Sequence, residues 1–121
     1  MTEHDICKEL IKWRDLNVYR YPCLKLLYHV ANEGKRDMRK AKELGMLAGL
    51  PDYHMPVATT NTYEFIGFWL EIKAPGKKPT EKQLAIIQAL RYEGHYANWV
   101  DNLQAAIDET EKYCQWVHKR G

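Results

Sequence analysis

Tyr63-Glu64-Phe65-Ile66-Gly67-Phe68-Trp69-Leu70-Glu71-Ile72-Lys73 is the stretch on which the fold turns. Its β-branched and aromatic residues favour extended chain and predict a strand over residues 63–73. Successive side chains of a strand alternate between faces, so Ile66, Phe68, Leu70 and Ile72 share one apolar face. Glu71 and Lys73 share the other, beside Trp69. A strand that is apolar on both sides and ends in a carboxylate and an ammonium either closes on an ion pair or carries chemistry. Ion pairs at strand ends are common and weak, so this pair alone does not decide between the two.

Working back along the chain, Pro51-Asp52 precedes Glu71 by 19 positions. Residues 52–57 predict a short strand, kept from a central place by Pro51 and Pro56, because proline cannot donate to a ladder. Leu50, Asp52 and His54 would share one face of it. Thr59-Thr60-Asn61 is a turn signal, and a hairpin closed there brings Asp52 near the strand end that carries Glu71. Two carboxylates brought together repel unless a cation lies between them. Carboxylate oxygens completed by water suit magnesium or manganese. A lysine beside such a cluster can hold a water or stabilise charge developing on a phosphoryl group. Pro-Asp is also an ordinary turn dipeptide.

The rest of the chain supplies flanking elements. Residues 3–16 predict a helix with Ile6, Cys7, Leu10, Ile11 and Trp13 along one stripe. Residues 26–31 predict a strand that stops at Asn32-Glu33-Gly34, and residues 36–47 a charged helix stopped by Gly45 and Gly49. A loop over residues 74–79 leads to a helix that starts at Thr80-x-x-Gln83, a capping box, with Leu84, Ile87 and Leu90 inward and Gly94 as its stop. Residues 95–100 predict a last strand. Asp101-x-x-Gln104 opens a final helix with Leu103, Ala106, Ile107, Thr110, Cys114 and Val117 on one face. The succession of elements predicts an α/β domain, a small mixed sheet flanked by helices.

The 121 residues, 45% hydrophobic and 28% charged, make one ordinary globular domain over 1–121. No stretch is long and apolar enough to span a membrane, and the charged first segment does not resemble a secretory signal, so the expected address is the cytoplasm. Cys7, Cys23 and Cys114 do not form a disulfide framework. His4-x-x-Cys7 and Cys114-x-x-x-His118 could bind zinc only if the two chain ends met; otherwise they are two half-buried thiols and two surface imidazoles.

The net charge is only +2, but it is unevenly spread. Lys35, Arg36, Arg39, Lys40 and Lys42 precede a segment, 49–71, that holds Asp52, Glu64 and Glu71 and no lysine or arginine. Lys73, Lys77, Lys78 and Lys82 follow it. Basic flanks around an acidic centre suit a polyanion held over a cation site, although a solvated face of lysines has the same composition. Two polar residues also fall where apolar ones are expected. Glu3 lies on the Ile6–Leu10–Trp13 stripe, where it either reaches the acidic centre or belongs to a frayed first turn. Gln83 shares the face of Ile87 and Leu90, where it is either a site residue or only the closing member of the capping box.

Gly45-x-x-x-Gly49-Leu50-Pro51-Asp52, Glu71-Ile72-Lys73, Gly76 and Thr80-x-x-Gln83 together resemble the PD-(D/E)xK nuclease pattern in its virus-type replication-repair nuclease (VRR-NUC) form. Asn32-x-Gly34-Lys35-Arg36 resembles that family's strand end and the basic start of its second helix. The resemblance spans roughly residues 3–100. Glu33 departs from it where a second small residue is common, and Pro79 where an apolar residue precedes the Ser/Thr. Glu3 is matched by register alone.

The resemblance implies a restriction-endonuclease-like core and a metal-dependent phosphodiesterase acting on DNA. It implies that Asp52, Glu71 and the backbone carbonyl of Ile72 hold Mg2+, for which Mn2+ would substitute. Lys73 would orient the attacking water, Gln83 would steady the water or the lysine, and Glu3 would reach the ion through water or serve a second one. Lys35, Arg36, Arg39, Lys40, Lys77 and Lys78 are the expected DNA contacts. The implied substrate is branched or duplex DNA, four-way (Holliday) junctions included, cut by a homodimer in a bacterial or phage-infected cell during repair or replication. Trp99, Trp116, Tyr92, Tyr96 and Tyr113 offer aromatic material for the dimer contact, through the last strand or helix. The alternatives are a non-catalytic nucleic-acid-binding or accessory subunit and a small structural protein with chance motifs. Three intact chemical groups, Asp52, Glu71 and Lys73, weigh against a pure binder, which has no use for acids beside a polyanion.

Overall fold

The computed structural model describes residues 1–31, 38–59 and 64–119. Along the chain run α1 (Glu3–Asn17), a 3-10 turn (Pro22–Leu26), β1 (Tyr28–His29), α2 (Met38–Glu43), β2 (Tyr53–Met55), β3 (Phe68–Ile72), α3 (Glu81–Tyr92), β4 (Tyr96–Val100) and α4 (Leu103–His118). The strands form one sheet in the order β1-β2-β3-β4. β1–β2 and β2–β3 are antiparallel, and β3–β4 is parallel. A parallel pair cannot be closed by a hairpin, and α3 makes the crossover.

The face of β3 formed by Phe68, Leu70 and Ile72 is fully buried. It packs with Ile6 and Leu10 of α1 and with Ala106, Tyr113, Cys114 and Val117 of α4. Tyr113 also donates its hydroxyl to the Val57 carbonyl at 2.6 Å, so its polar tip is satisfied inside the core. The opposite face of β3 carries Trp69 and Glu71 toward α3, the alternation expected of the strand. Cys23 and Cys114 are free thiols, 3.4 Å apart between their Sγ atoms and buried. Cys114 therefore belongs to the core and does not meet the His4–Cys7 pair. Among the described residues no helix is long and apolar enough to cross a membrane.

Several expected elements are shorter or shifted. β3 begins at Phe68, not at residue 63. Thr59 takes Phe65 out of the ladder: its N–H donates to the Phe65 carbonyl at 2.9 Å, and its hydroxyl accepts from the Phe65 N–H at 2.8 Å. Ile66 is 57% exposed as a result, not part of the apolar face. The strands expected over 26–31 and 52–57 contract to two and three residues, and Pro22 starts a 3-10 turn before the first. The helix expected over 36–47 is Met38–Glu43 within the described residues. Leu84 is 39% exposed, because α3 turns Gln83 and Ile87 inward instead. The last helix is capped by Asn102, whose side chain accepts from the Ala105 N–H at 2.8 Å. Asp101 accepts instead from the Gly76 N–H at 3.2 Å.

The aromatic residues expected at a dimer contact divide. Tyr113, Tyr96 and Trp116 pack with Phe65 and Phe68 as one ring cluster, whereas Tyr92 is 88% exposed. Along the outer edge of β4, Arg91 donates to the Ala97 carbonyl at 2.8 Å and the Trp99 N–H donates to the Asn98 side chain at 2.9 Å. Side chains that occupy edge groups in this way blunt a strand against pairing with a second chain.

Candidate active site

The register of the hairpin builds the site. Tyr53 lies opposite Leu70, so one step further along the two strands Asp52 comes opposite Glu71 and Pro51 opposite Ile72. Both carboxylates therefore project from the sheet face that does not carry Leu70 and Ile72. Asp52 is anchored twice: its carbonyl accepts from the Val30 N–H at 2.7 Å, and its Oδ2 accepts from the Ile72 N–H at 2.7 Å. In extended chain a residue's N–H and C=O point to the same side, so the Ile72 carbonyl also faces the Asp52 side. Pro51, at the position that would complete the ladder there, has no N–H to offer it. Proline before the aspartate thus gives that carbonyl oxygen no ladder donor beside the carboxylates.

Glu3 comes from the first turn of α1. That turn is not frayed: the Asp5 N–H donates to the Thr2 hydroxyl at 3.1 Å and the Thr2 N–H to the Asp5 carboxylate at 2.9 Å, a closed capping box. One carboxylate oxygen from each of Glu3, Asp52 and Glu71 lies within 4.8 Å of the others. Lys73 places its Nζ 3.4 Å from Glu71 Oε2. Gln83 does both things open to it. Its Oε1 accepts from the Thr80 N–H at 2.9 Å, closing the capping box of α3, and its Nε2 donates to Glu71 Oε2 at 3.2 Å. Asp52 and Glu71 each commit one oxygen to the scaffold, and the second oxygen of each has no hydrogen-bond partner among the described residues.

Burial first, and then the Asp52 charge, push the Glu71 carboxyl up to about 7. Burial raises Asp52 as well, with Glu3 adding to it and the bond from Ile72 opposing it. Asp52 and Glu71 thus resist ionising together, and with Glu3 beside them the three carboxylates form an oxygen donor set that could hold a divalent cation, which would relieve the repulsion. Folded Glu71 keeps its proton to higher pH than the ordinary 4.5. Its contribution to stability is complete below that value and is lost as pH rises through about 7, by up to about 3 kcal/mol. Cation binding displaces the proton. Magnesium is therefore expected to raise the melting temperature more at pH 8 than at pH 6, read by calorimetry against protein in chelator. An equal rise at both values would remove the ion from this cluster.

One row back on the same sheet face is a set of rings the sequence did not single out. The Tyr28 hydroxyl lies 2.8 Å from His54 Nδ1, and His54 stacks on Trp69 at 3.8 Å. The Trp69 Nε1–H donates to His95 Nδ1 at 3.1 Å. A Cβ on Gly67 would come within 2.9 Å of that same nitrogen, so any other residue there would displace the His95 ring. Burial lowers the pKa of both histidines. The row ties β2 to β3 directly behind Asp52 and Glu71.

Of the expected DNA contacts, Arg39 and Lys40 are exposed on α2, and Lys77 and Lys78 are exposed after β3 on a turn where Gly76 has φ +81°. Lys35 and Arg36 lie outside the described residues. Pro79, the departure from the family pattern, is buried and so fills the apolar position. An open cleft of about 790 Å³ borders Glu3 and Asp52 and is walled by His4, Lys8, Lys12 and His29. None of these four was expected at the site. The signal available was the spacing of His4, Lys8 and Lys12, one ridge of a helix.

The fold is shared with a solved structure described as a VRR_NUC domain protein, at a TM-score of 0.82 and 23% identity, over 96% of this chain and 90% of that one. The chain therefore has the restriction-endonuclease-like fold, with a mixed four-stranded sheet between helices. Neither a protein-family model nor a curated protein matches the sequence.

Proposed function

We propose that this chain is a magnesium-dependent endodeoxyribonuclease of the VRR-NUC, PD-(D/E)xK type that cuts branched DNA, four-way junctions among them, as a homodimer. The observation that carries this reading is the convergence of Glu3, Asp52, Glu71, Lys73 and Gln83 at the end of β3 in a VRR_NUC-like fold. Asp52, Glu71 and the Ile72 carbonyl would hold Mg2+ or Mn2+, with Glu3 reaching it through water or serving a second ion. When bound, the ion supplies positive charge against a phosphoryl oxygen.

Lys73 is the cation placed to orient the attacking water and to face the charge that develops on the phosphoryl oxygens. The water oxygen would bond to phosphorus and release a proton to solvent, the bond to the leaving sugar oxygen would break, and that oxygen would take up a proton from solvent. Gln83 and Lys73 share Glu71 Oε2, so Gln83 would steady the carboxylate and, through it, the lysine. A four-way junction offers two symmetry-related phosphodiesters, and the described residues of each chain bring together one such acid cluster, so paired cutting calls for two copies. Light scattering is expected to give twice the chain mass.

Labelled single-stranded, duplex, flap and four-way DNA, incubated with magnesium, manganese or chelator, test the reading. Cleavage is expected with either ion, strongest on the four-way substrate and absent in chelator. Binding without cleavage in any metal would make the protein an accessory subunit.

Arg39 and Lys40, with Lys77 and Lys78, are proposed to meet phosphates. Arg39→Glu with Lys40→Glu is expected to weaken binding to all sequences alike and to lower the slope of log affinity against log salt by about one for each phosphate ion pair removed. An unchanged slope would return α2 to a solvated face.

A further inference from the structure

The cleft beside the carboxylates has walls of two kinds. α1 presents it with two ridges, Glu3–Cys7–Ile11 and His4–Lys8–Lys12. Each repeats every four residues, which is about 6 Å along a helix axis. The first ridge leaves the acid cluster at Glu3 and becomes an apolar floor of Cys7 and Ile11, held from beneath by the buried Tyr53, whose hydroxyl donates to the Cys7 carbonyl at 3.4 Å. The second is a basic rail along the rim. Lys8 is exposed and has no acidic partner among the described residues. Lys12 pairs with Glu9 at 3.0 Å, but at 61% and 35% exposure that pair is weak and readily exchanged. On the facing wall the His29 ring stands edge-on to Tyr53 at 5.1 Å between centroids.

We propose that this cleft seats an unpaired DNA strand, its phosphates along His4, Lys8 and Lys12 and its sugars and bases on the Cys7–Ile11 floor, leading away from the phosphodiester held at Glu3, Asp52 and Glu71. Only the position of that phosphodiester rests on the nuclease reading; the cleft and its charge stand apart from it. The rail's pitch is comparable with the distance between successive phosphates of an extended strand. Duplex DNA offers phosphates on two rails and hides its bases, so an apolar floor beside a single rail would have nothing to meet. A single strand exposes both its charge and its ring faces, the combination that basic grooves with apolar or aromatic floors take up. A branched substrate supplies such a strand where its arms part.

The test is fluorescence anisotropy of labelled oligothymidine in chelator, where nothing is cut. Lys8→Glu with Lys12→Glu is expected to weaken binding at least about tenfold and to lower the salt slope by about 1.4, two single-strand phosphate pairings at about 0.7 each. Lys25→Glu with Lys119→Glu makes the same charge change on exposed residues outside the cleft and is expected to stay within about twofold. Equal loss in both double variants, no loss in the first, or wild-type affinity for a blunt duplex as high as for the single strand would each overturn the proposal. Cleavage by wild type with unchanged binding by the first variant would sink the strand track and leave the nuclease reading standing. Cleft-dependent binding without cleavage in any metal would do the reverse.

Discussion

Lys73→Ala is expected to lower cleavage of a four-way junction by about a thousandfold or more, the loss typical when one positioned proton-handling or charge-stabilising group is removed. The Lys73 side chain sits just past the end of β3, with its Nζ 3.4 Å from Glu71. It stands outside the apolar core, so the fold should survive its truncation, and DNA binding should change far less than cleavage. Without the ammonium, Glu71 loses a neighbour that favours its ionised form, so it holds its proton to still higher pH. At pH 6, where Glu71 is already largely protonated, the variant should melt within a few degrees of wild type. Cleavage near the wild-type rate would exclude Lys73 from the chemistry even with the fold intact.

Asp52→Asn should separate function from folding in the opposite direction. The asparagine oxygen can still accept from the Ile72 N–H, so the scaffold bond at 2.7 Å is kept. The charge that repels Glu71 is gone. Without metal the variant is expected to be more stable than wild type at pH 8, by about 1 kcal/mol, because the cluster holds one carboxylate fewer. Magnesium should no longer raise its melting temperature appreciably, and cleavage should fall about a thousandfold. A variant destabilised in chelator would mean that Asp52 serves the fold through its charge, and the reading of the cluster as a cation site would fail. Asp52→Ala loses the acceptor as well and should be the less stable of the two.

Much of the site was legible because its geometry is local. The period of two along β3 places Glu71 and Lys73 on one face whatever surrounds them. The turn signal near Thr59 is enough to bring Asp52 back to Glu71, and the capping box fixes Gln83 at the start of α3. The boundaries were less legible, because they depend on partners. β3 starts only at Phe68, since Thr59 captures Phe65, and Leu84 turns outward because Gln83 takes the inward position. The family resemblance placed Glu3 by register alone; Thr2-x-x-Asp5 is a local signal that the first turn is capped, but nothing local brings that turn to the acid cluster.

By itself the sequence determined the α/β class, the succession of elements, the carboxylate pair with its lysine, and the glutamine that follows, since alternation, capping and turn chemistry act over a few residues. Only the tertiary structure decided that Glu3 meets Asp52 and Glu71, that Pro51 comes opposite Ile72, and that His4, Lys8 and Lys12 line a cleft beside the acids. The contacts of Glu3 join α1 to strands roughly fifty residues and more away. Their geometry is set by how α1 packs with α4 against the buried face of β3, a long-range result of burying apolar surface that no short stretch of sequence encodes.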